Sequence, residues 1–341
     1  MNPPSAELFC VTGKLLATLA VASAAIWVGL ALWFKFSASR LPKLLAITLW
    51  TAFSAAVLIA LWQGRITLGL LTFAAGFVLL LIWWRQLKPS NDRIWTEEVA
   101  QMVTGTVAGS HVTLRNVRNF EWRSRDDYTP RWETRNYDLD HLHSVDMILS
   151  YWAGPAIAHT LVSFGFGESE YVVFSVEIRR QKDLQHFSQI GGFFKRYELS
   201  IVAADERDVI RVRTNVRGED DYLYRVQMPT AQMRSLLLAY TDAANRLVET
   251  PRFYNTITGN CTTIVYQMVS HIIGGLPLSY RLLLSGYLPE YVYALGGLDR
   301  RSPLEELRTR GRIGERAKQA DLSATFSADI RCGIPELAPE S

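Results

Sequence analysis

Cysteine is scarce in this chain. Cys10, Cys261 and Cys332 are the three it has in 341 residues, and they stand far apart, so neither a disulfide framework nor a zinc spacing is visible. A strong net charge is also missing: the balance is +3, which gives no reason to expect nucleic acid as a partner. No internal repeat is evident, which sets aside solenoids and propellers. Charge is almost absent from residues 15–34, 44–62 and 66–84, and each of these apolar runs is long enough to cross a bilayer.

Those runs hold most of the apolar excess. Trp27, Trp33, Trp50, Trp62, Trp83 and Trp84 lie in them, several at their ends, as interface anchors do. The first run is too long for the core of a signal peptide and two more follow it, so three transmembrane helices are expected over residues 1–88. Cys10 has no apolar segment before it and is a poor lipidation site. A linker or interfacial segment is expected over 89–110, a soluble domain over 111–300 and a charged tail over 301–341. Within the soluble part, residues 95–103 look like a helix able to lie along a membrane surface. Alternating polarity begins at His111 and reads as a strand to Arg118. Residues 119–137 look like a long charged and aromatic loop, and 138–152 partly helical. Strands are expected near 157–164, 171–178, 194–203, 208–213 and 222–227, then a helix over 231–249 capped by Thr230. A second helix opens at Cys261 and stops at Gly274-Gly275. Residues 276–298 are apolar but broken by Pro277, Gly286 and Pro289, which suits a core segment or the lining of an acyl-chain site.

Asn260-Cys261-Thr262-Thr263 is the stretch with the clearest chemistry. Asn260 can act as N-cap, which puts Cys261 in the first helical turn. Free N–H groups and the helix dipole there favour a thiolate and offer donors to an oxyanion. A buried structural cysteine is the plainer alternative. A nucleophilic cysteine needs a base. Among the six histidines, His271 lies too far along the same helix, about 15 Å by rise per residue. His141 and His143 lack a third metal ligand, His186 is expected in a turn beside Asp183, and His111 opens a strand. His159 stands at the start of the apolar strand 158–164, where a side chain is held rigidly. A hairpin turn over 165–170 centred near residue 168 pairs His159 with Glu177, a carboxylate that can orient the imidazole. A one-residue register slip would undo that pairing, and an ion pair of Glu177 with Arg179 or Arg180 is the alternative.

The order of base, orienting residue and then cysteine is similar to the circularly permuted members of the NlpC/P60 superfamily of papain-like thiol enzymes. Residues 115–120, 158–160 with 163–165, 175–179, 205–208, 254–256 and 260–263, taken in order, resemble the Lnb-type domain. The resemblance covers roughly residues 110–300, leaving the three spans outside it, and implies an α+β fold in which the transmembrane helices read from the apolar runs precede a permuted papain-like domain with an antiparallel sheet and a cysteine-bearing helix. It also implies a lipoprotein N-acyltransferase with no metal or cofactor, whose catalytic set is Cys261, His159 and Glu177. The acyl donor would be a membrane phospholipid and the acceptor the diacylglyceryl-cysteine of a lipoprotein. Arg179, Arg118, Asn119, Asn260 and Thr262 are the candidate substrate-binding residues, although the arginines of 115–131 also suit a solvated basic face. A cell-wall cysteine peptidase or amidase and a non-catalytic membrane-anchored module are the other readings. Lys35, Arg40, Lys43, Arg85, Lys88 and Arg93 favour a cytoplasmic domain. The resemblance implies the reverse: a periplasmic domain on the bacterial inner membrane, facing the leaflet that displays lipoproteins.

Overall fold

The structure is a computed structural model that describes residues 3–37, 39–152, 154–184 and 188–335. The chain divides into two compact units, residues 1–89 with 187–196, and residues 90–186 with 197–341.

The first unit contains α1 (Pro3–Lys35), α2 (Arg40–Trp62) and α3 (Ile66–Gln86). Their spanning portions, Val11–Lys35, Arg40–Trp62 and Ile66–Gln86, fall close to the three apolar runs. At most 22% of each span's apolar window is buried, so the remaining apolar surface suits lipid rather than water. Where the helices do meet, Val28, Trp50, Leu61 and Phe73 form the contact, and the Trp50 indole donates to Ala25 O at 3.0 Å. The α2–α3 hairpin turns at Gly64, whose φ of 91° is a conformation glycine adopts without strain. A short segment from far along the chain also belongs here. Phe194 stacks on Phe34 at 5.7 Å, and Lys195 donates to Trp84 O at 2.7 Å. The strand expected over 194–203 therefore begins later, at Glu198.

In the second unit the strands are β1 (Thr104–Ala108), β2 (His111–Arg118), β3 (Glu121–Trp122), β4 (Tyr128–Thr129), β5 (Trp132–Asp138), β6 (Leu142–Tyr151), β7 (Ala158–Phe166) and β8 (Glu170–Arg179). After α4 (Gln189–Phe193) of the first unit come β9 (Glu198–Ala204), α5 (Glu206–Arg211) and β10 (Asp220–Arg225). An eight-stranded sheet runs β1-β2-β9-β8-β7-β6-β10 with β5 paired to β2, and it is antiparallel except for the contact of β2 with β9. Helices α6 (Thr230–Glu249), α7 (Cys261–Ile273), α8 (Leu288–Ala294), α9 (Leu304–Gly311), α10 (Gly314–Ala320) and α11 (Phe326–Asp329) complete the α+β fold.

Strand alternation splits the core in two. Val162, Phe164, Phe174 and Val176 pack against Leu237 and Tyr240 of α6 and Ile264 of α7. Leu161, Val173 and Val202 point the other way, onto Val209 and Ile210 of α5 and onto Ile313, Ala317, Phe326 and Ile330. The described residues beyond 300 therefore cover the sheet instead of forming a charged tail. Arg331 is tied into it by Asp146 at 2.8 Å and Glu206 at 2.6 Å. Other local expectations also give way. Residues 142–151 form a strand rather than a partly helical segment, because β6 is central and buried on both faces, which erases its alternation. The expected loop 119–137 contains β3, β4 and most of β5. Residues 206–217 are helical rather than extended, started by Asp205, whose carboxylate accepts from Arg207 N at 2.9 Å. The turn Val212–Arg217 continues it as a π-helix. Residues 97–99 form only a short turn, with Val99, Met102 and Val103 buried in the core instead of lying on a surface. Pro229, not Thr230, stands at the N-cap of α6.

Candidate active site

Cys261 is the first residue of α7. The Asn255 side chain accepts from Ile257 N and Thr258 N at 3.0 and 2.9 Å and folds the approach into a turn. Asn260 then caps the helix, its Oδ1 accepting from Thr262 N at 2.9 Å and Thr263 N at 2.7 Å, while its Nδ2 donates to Thr256 O at 2.7 Å. Asn260 thus positions the cysteine, and the Thr262 and Thr263 N–H groups are spent on the cap, so they are not the oxyanion donors the sequence suggested. Thr262 is buried, and its hydroxyl lies 3.2 Å from that of Thr160 and 4.0 Å from Cys261 Sγ. Burial pushes the Cys261 thiol up. The His159 charge, a hydrogen bond to the imidazole, the Thr160 N–H and the Thr262 hydroxyl outweigh that and hold it below its ordinary value.

The base is supplied by the neighbouring hairpin. β7 and β8 pair from Phe166↔Glu170 to Leu161↔Ser175, a register centred on residue 168 that, continued two residues past its last pair, points to Glu177 opposite His159. Their side chains meet: His159 Nε2 lies 3.1 Å from Glu177 Oε1 and 2.7 Å from Ser175 Oγ. The Ser175 hydroxyl donates its proton to Glu177 at 2.7 Å, so the ring nitrogen Nε2 is the donor to Ser175 and Nδ1 is left with the lone pair. Burial would lower the imidazole's pKa. Arg213 pulls the same way, but the Glu177 charge together with the charge and hydrogen bond of Cys261 outweigh both, so His159 is pushed up to about 9. Burial likewise opposes the Glu177 charge, but His159 and Arg213 hold the carboxyl far below its usual range. Arg213, on the π-helical turn after α5, reaches Glu177 at 3.2 Å and Glu219 at 3.1 Å. Neither Arg213 nor Ser175 was singled out from the sequence. Ser175 carries a readable signal, since it shares a strand face with Glu177 two residues on. Arg213 carries none, because its reach depends on the helical turn.

Residues 128–286 match the family model described as the Lnb N-terminal periplasmic domain. They form an Lnb-type domain. Neither a curated protein nor a solved structure matches the chain. His159, Ser175, Glu177, Arg213 and Cys261 all fall inside the matched span. Together with three helices long and apolar enough to span a bilayer, the match identifies a membrane protein with a periplasmic domain, the side opposite to the one favoured by the local charges.

Within and around the Lnb-type domain, three of the other expected substrate residues are held by partners other than the thiol. Arg118 grips Asp208 at 2.8 and 3.1 Å and donates to Glu98 O at 3.1 Å. Arg179 donates to Val99 O, Asn91 Oδ1 and Ala100 O at 3.1, 2.9 and 2.7 Å and stacks on Trp95. All three nitrogens of each guanidinium are engaged inside the fold, so both arginines act as framework. Asn119 donates to Glu133 at 2.8 Å. Among the other histidines, His141 pairs with Asp138 at 2.9 Å and His143 packs edge-on against Tyr171, while His186 lies outside the described residues. Among the described residues no group of three or more His, Cys, Asp or Glu side chains could hold a metal ion.

Two cavities border the constellation. An apolar one of about 110 Å³ is lined by Thr160 and Thr262, both hydrogen-bonded to the thiol, and by Val162, Val265, Leu282 and Tyr291 among others. It uses the segment 276–298, whose Leu276, Leu282, Leu288, Tyr291 and Val292 all face it. A polar cleft of about 940 Å³ is lined by Glu219 and by Arg125, Arg180, Arg217, Tyr151 and Glu290 among others.

Proposed function

We propose that this protein is a lipoprotein N-acyltransferase that carries an acyl group on Cys261. The observation that carries the reading is the apolar cavity lined by Thr160 and Thr262, both partners of a thiol whose imidazole neighbour is buried and held by a carboxylate. A hydrocarbon tail is the natural occupant of an apolar cavity. A peptidase would need a polar cleft at the thiol and no such cavity.

The chemistry follows from the geometry. His159 Nδ1 takes the Cys261 proton, giving a thiolate–imidazolium pair stabilised by Glu177. The thiolate attacks an ester carbonyl of a membrane phospholipid. As the tetrahedral adduct collapses, the C–O bond breaks, the leaving oxygen takes the proton from His159, and a lysophospholipid departs. The α-amine of a diacylglyceryl-cysteine then attacks the thioester, losing a proton to His159. The C–S bond breaks, and the N-acylated lipoprotein leaves with the thiol restored. A thioester suits the second step because it is more reactive toward amines than the oxygen ester it replaces. The helix-borne thiol with a strand-borne base resembles a permuted papain-like layout. We further place the spans in the bacterial inner membrane with the N-terminus cytoplasmic, since an acceptor displayed on the outer leaflet cannot bring its polar body back across the bilayer. The test is mass spectrometry of lipoprotein N-termini from cells with and without the protein. N-acylated termini that disappear on deletion and return with the wild-type chain, but not with Cys261→Ser, are expected. Unchanged termini together with altered peptidoglycan fragments would replace the transferase with a peptidase.

A further inference from the structure

The polar cleft contains a cationic corner with weak anionic company. Arg180 reaches Glu98 only at 3.8 Å, and Arg217 reaches Glu98 and Glu219 only at 3.9 and 3.8 Å. Arg125 joins them by donating to Arg217 O at 2.8 Å. Three of the cleft's four other carboxylates have close partners of their own, and the fourth, Asp126, follows Arg125 in the chain. Asp220 pairs with Arg312 at 2.8 Å, Glu290 with Arg308 at 2.8 Å, and Glu219 with Arg213 at 3.1 Å. Burial and the nearby Arg213 both pull Arg217 below its ordinary pKa, the condition of a cation short of an anion. Glu219 connects this corner to the thiol's support: it is shared between Arg217, which lines the cleft, and Arg213, which holds Glu177.

We propose that this corner binds the phosphate of the acyl donor's headgroup, with Arg180 and Arg217 as its ligands and Arg125 beside them. The proposal deepens the acyltransferase reading and rests on it. Planar guanidinium groups match phosphate oxygens with paired hydrogen bonds. A phospholipid held there by its headgroup and in the apolar cavity by its tail would be fixed at both ends of the ester. The cleft would thereby select a phosphate-bearing donor over a neutral glyceride with the same acyl chains.

The test uses the full chain in detergent micelles. It compares Cys261 acylation, read by intact mass, from phosphatidylglycerol and from diacylglycerol of identical chains. We expect the phospholipid to be preferred by about tenfold or more, the scale of one charge-assisted contact pair. Arg180→Gln/Arg217→Gln should bring its rate down to that of the glyceride. Arg180→Gln alone, at a side chain 32% exposed, gives a partial loss and keeps the test open should the double variant unfold. A parallel titration with glycerophosphoglycerol, followed by phosphorus NMR on Cys261→Ser, should show binding that the arginine variants weaken about tenfold. Equal acylation from both donors, or a preference that survives in the double variant, overturns the proposal. Inorganic phosphate binding as tightly as the glycerophosphodiester, with no donor preference, makes this a free-anion site and also overturns it. If neither donor acylates Cys261 while glycerophosphoglycerol still binds through the arginines, the phosphate site stands and the acyltransferase reading falls.

Discussion

The apolar cavity and the polar cleft approach one catalytic pair with opposite chemistry. The first touches it through Thr160 and Thr262 and is walled by valines, leucines and tyrosines. The second touches it through Glu219, Arg213 and Glu177, and its walls carry four arginines and five carboxylates. A hydrolase acting on a polar polymer needs only the second. A substrate with a hydrocarbon tail on one side of a reactive ester and a charged group on the other needs both.

The largest expected effect removes what the cavities share. Cys261→Ser and His159→Ala should each lower acyl transfer by about a thousandfold or more, while the circular dichroism melt stays near that of the parent. Either variant retaining near-normal transfer would remove that residue from the mechanism. Glu177→Gln should cost less, about ten- to a hundredfold, because orientation by Ser175 survives. Its pH profile is the sharper reading. The parent needs imidazolium to protonate the leaving oxygen, so its rate should fall as pH rises through about 9. Without the carboxylate, Cys261 alone opposes burial and Arg213, the imidazole's pKa drops, and the alkaline limb must move to lower pH. A limb that stays put would mean that Glu177 does not set the histidine's charge.

The cavities themselves can be altered one at a time. Val265→Trp fills the apolar side and should shift the acyl groups found on lipoproteins toward shorter chains, with a several-fold loss of rate on the longest. An unchanged chain-length profile would place the tail elsewhere. Asn260→Ala should have the smallest effect. It removes the cap that accepts from Thr262 and Thr263, at a cost of about 1 kcal/mol in stability. The melting temperature should fall by a few degrees without a change in donor preference, and a melt indistinguishable from the parent would contradict the cap's role.

Local signals carried the transmembrane helices, the β7–β8 hairpin and the start of α7. Uninterrupted apolar runs set the spans. The turn at Gly167, with φ 53°, fixes a register in which His159 must oppose Glu177. The cap at Asn260 is written in four consecutive residues. What escaped depends on packing between distant elements. β6 is buried on both faces and loses its period. Val209, Ile210 and Val212 are β-branched and suit a strand, but Asp205 starts the segment as a helix, and with that helix went the position of Arg213. Arg118 and Arg179 looked like phosphate ligands because a sequence shows a cation without showing its partners. Asp208 and the carbonyls of Val99 and Ala100 already occupy them. The charged surface of residues 301–335 hid Ile313, Phe326 and Ile330, which close the second face of the sheet.

The central claim is that Cys261 carries the acyl group between donor and acceptor, and intact mass spectrometry tests it directly. The full-length protein, incubated with phospholipid and no acceptor, should gain the mass of one fatty acyl group. That mass should be lost on treatment with hydroxylamine, be absent in Cys261→Ser, and disappear when a diacylated lipopeptide with a free α-amine is added, as the lipopeptide gains the same group. Transfer to the lipopeptide with no hydroxylamine-sensitive mass on the protein at any time, or transfer undiminished in Cys261→Ser, would contradict the account.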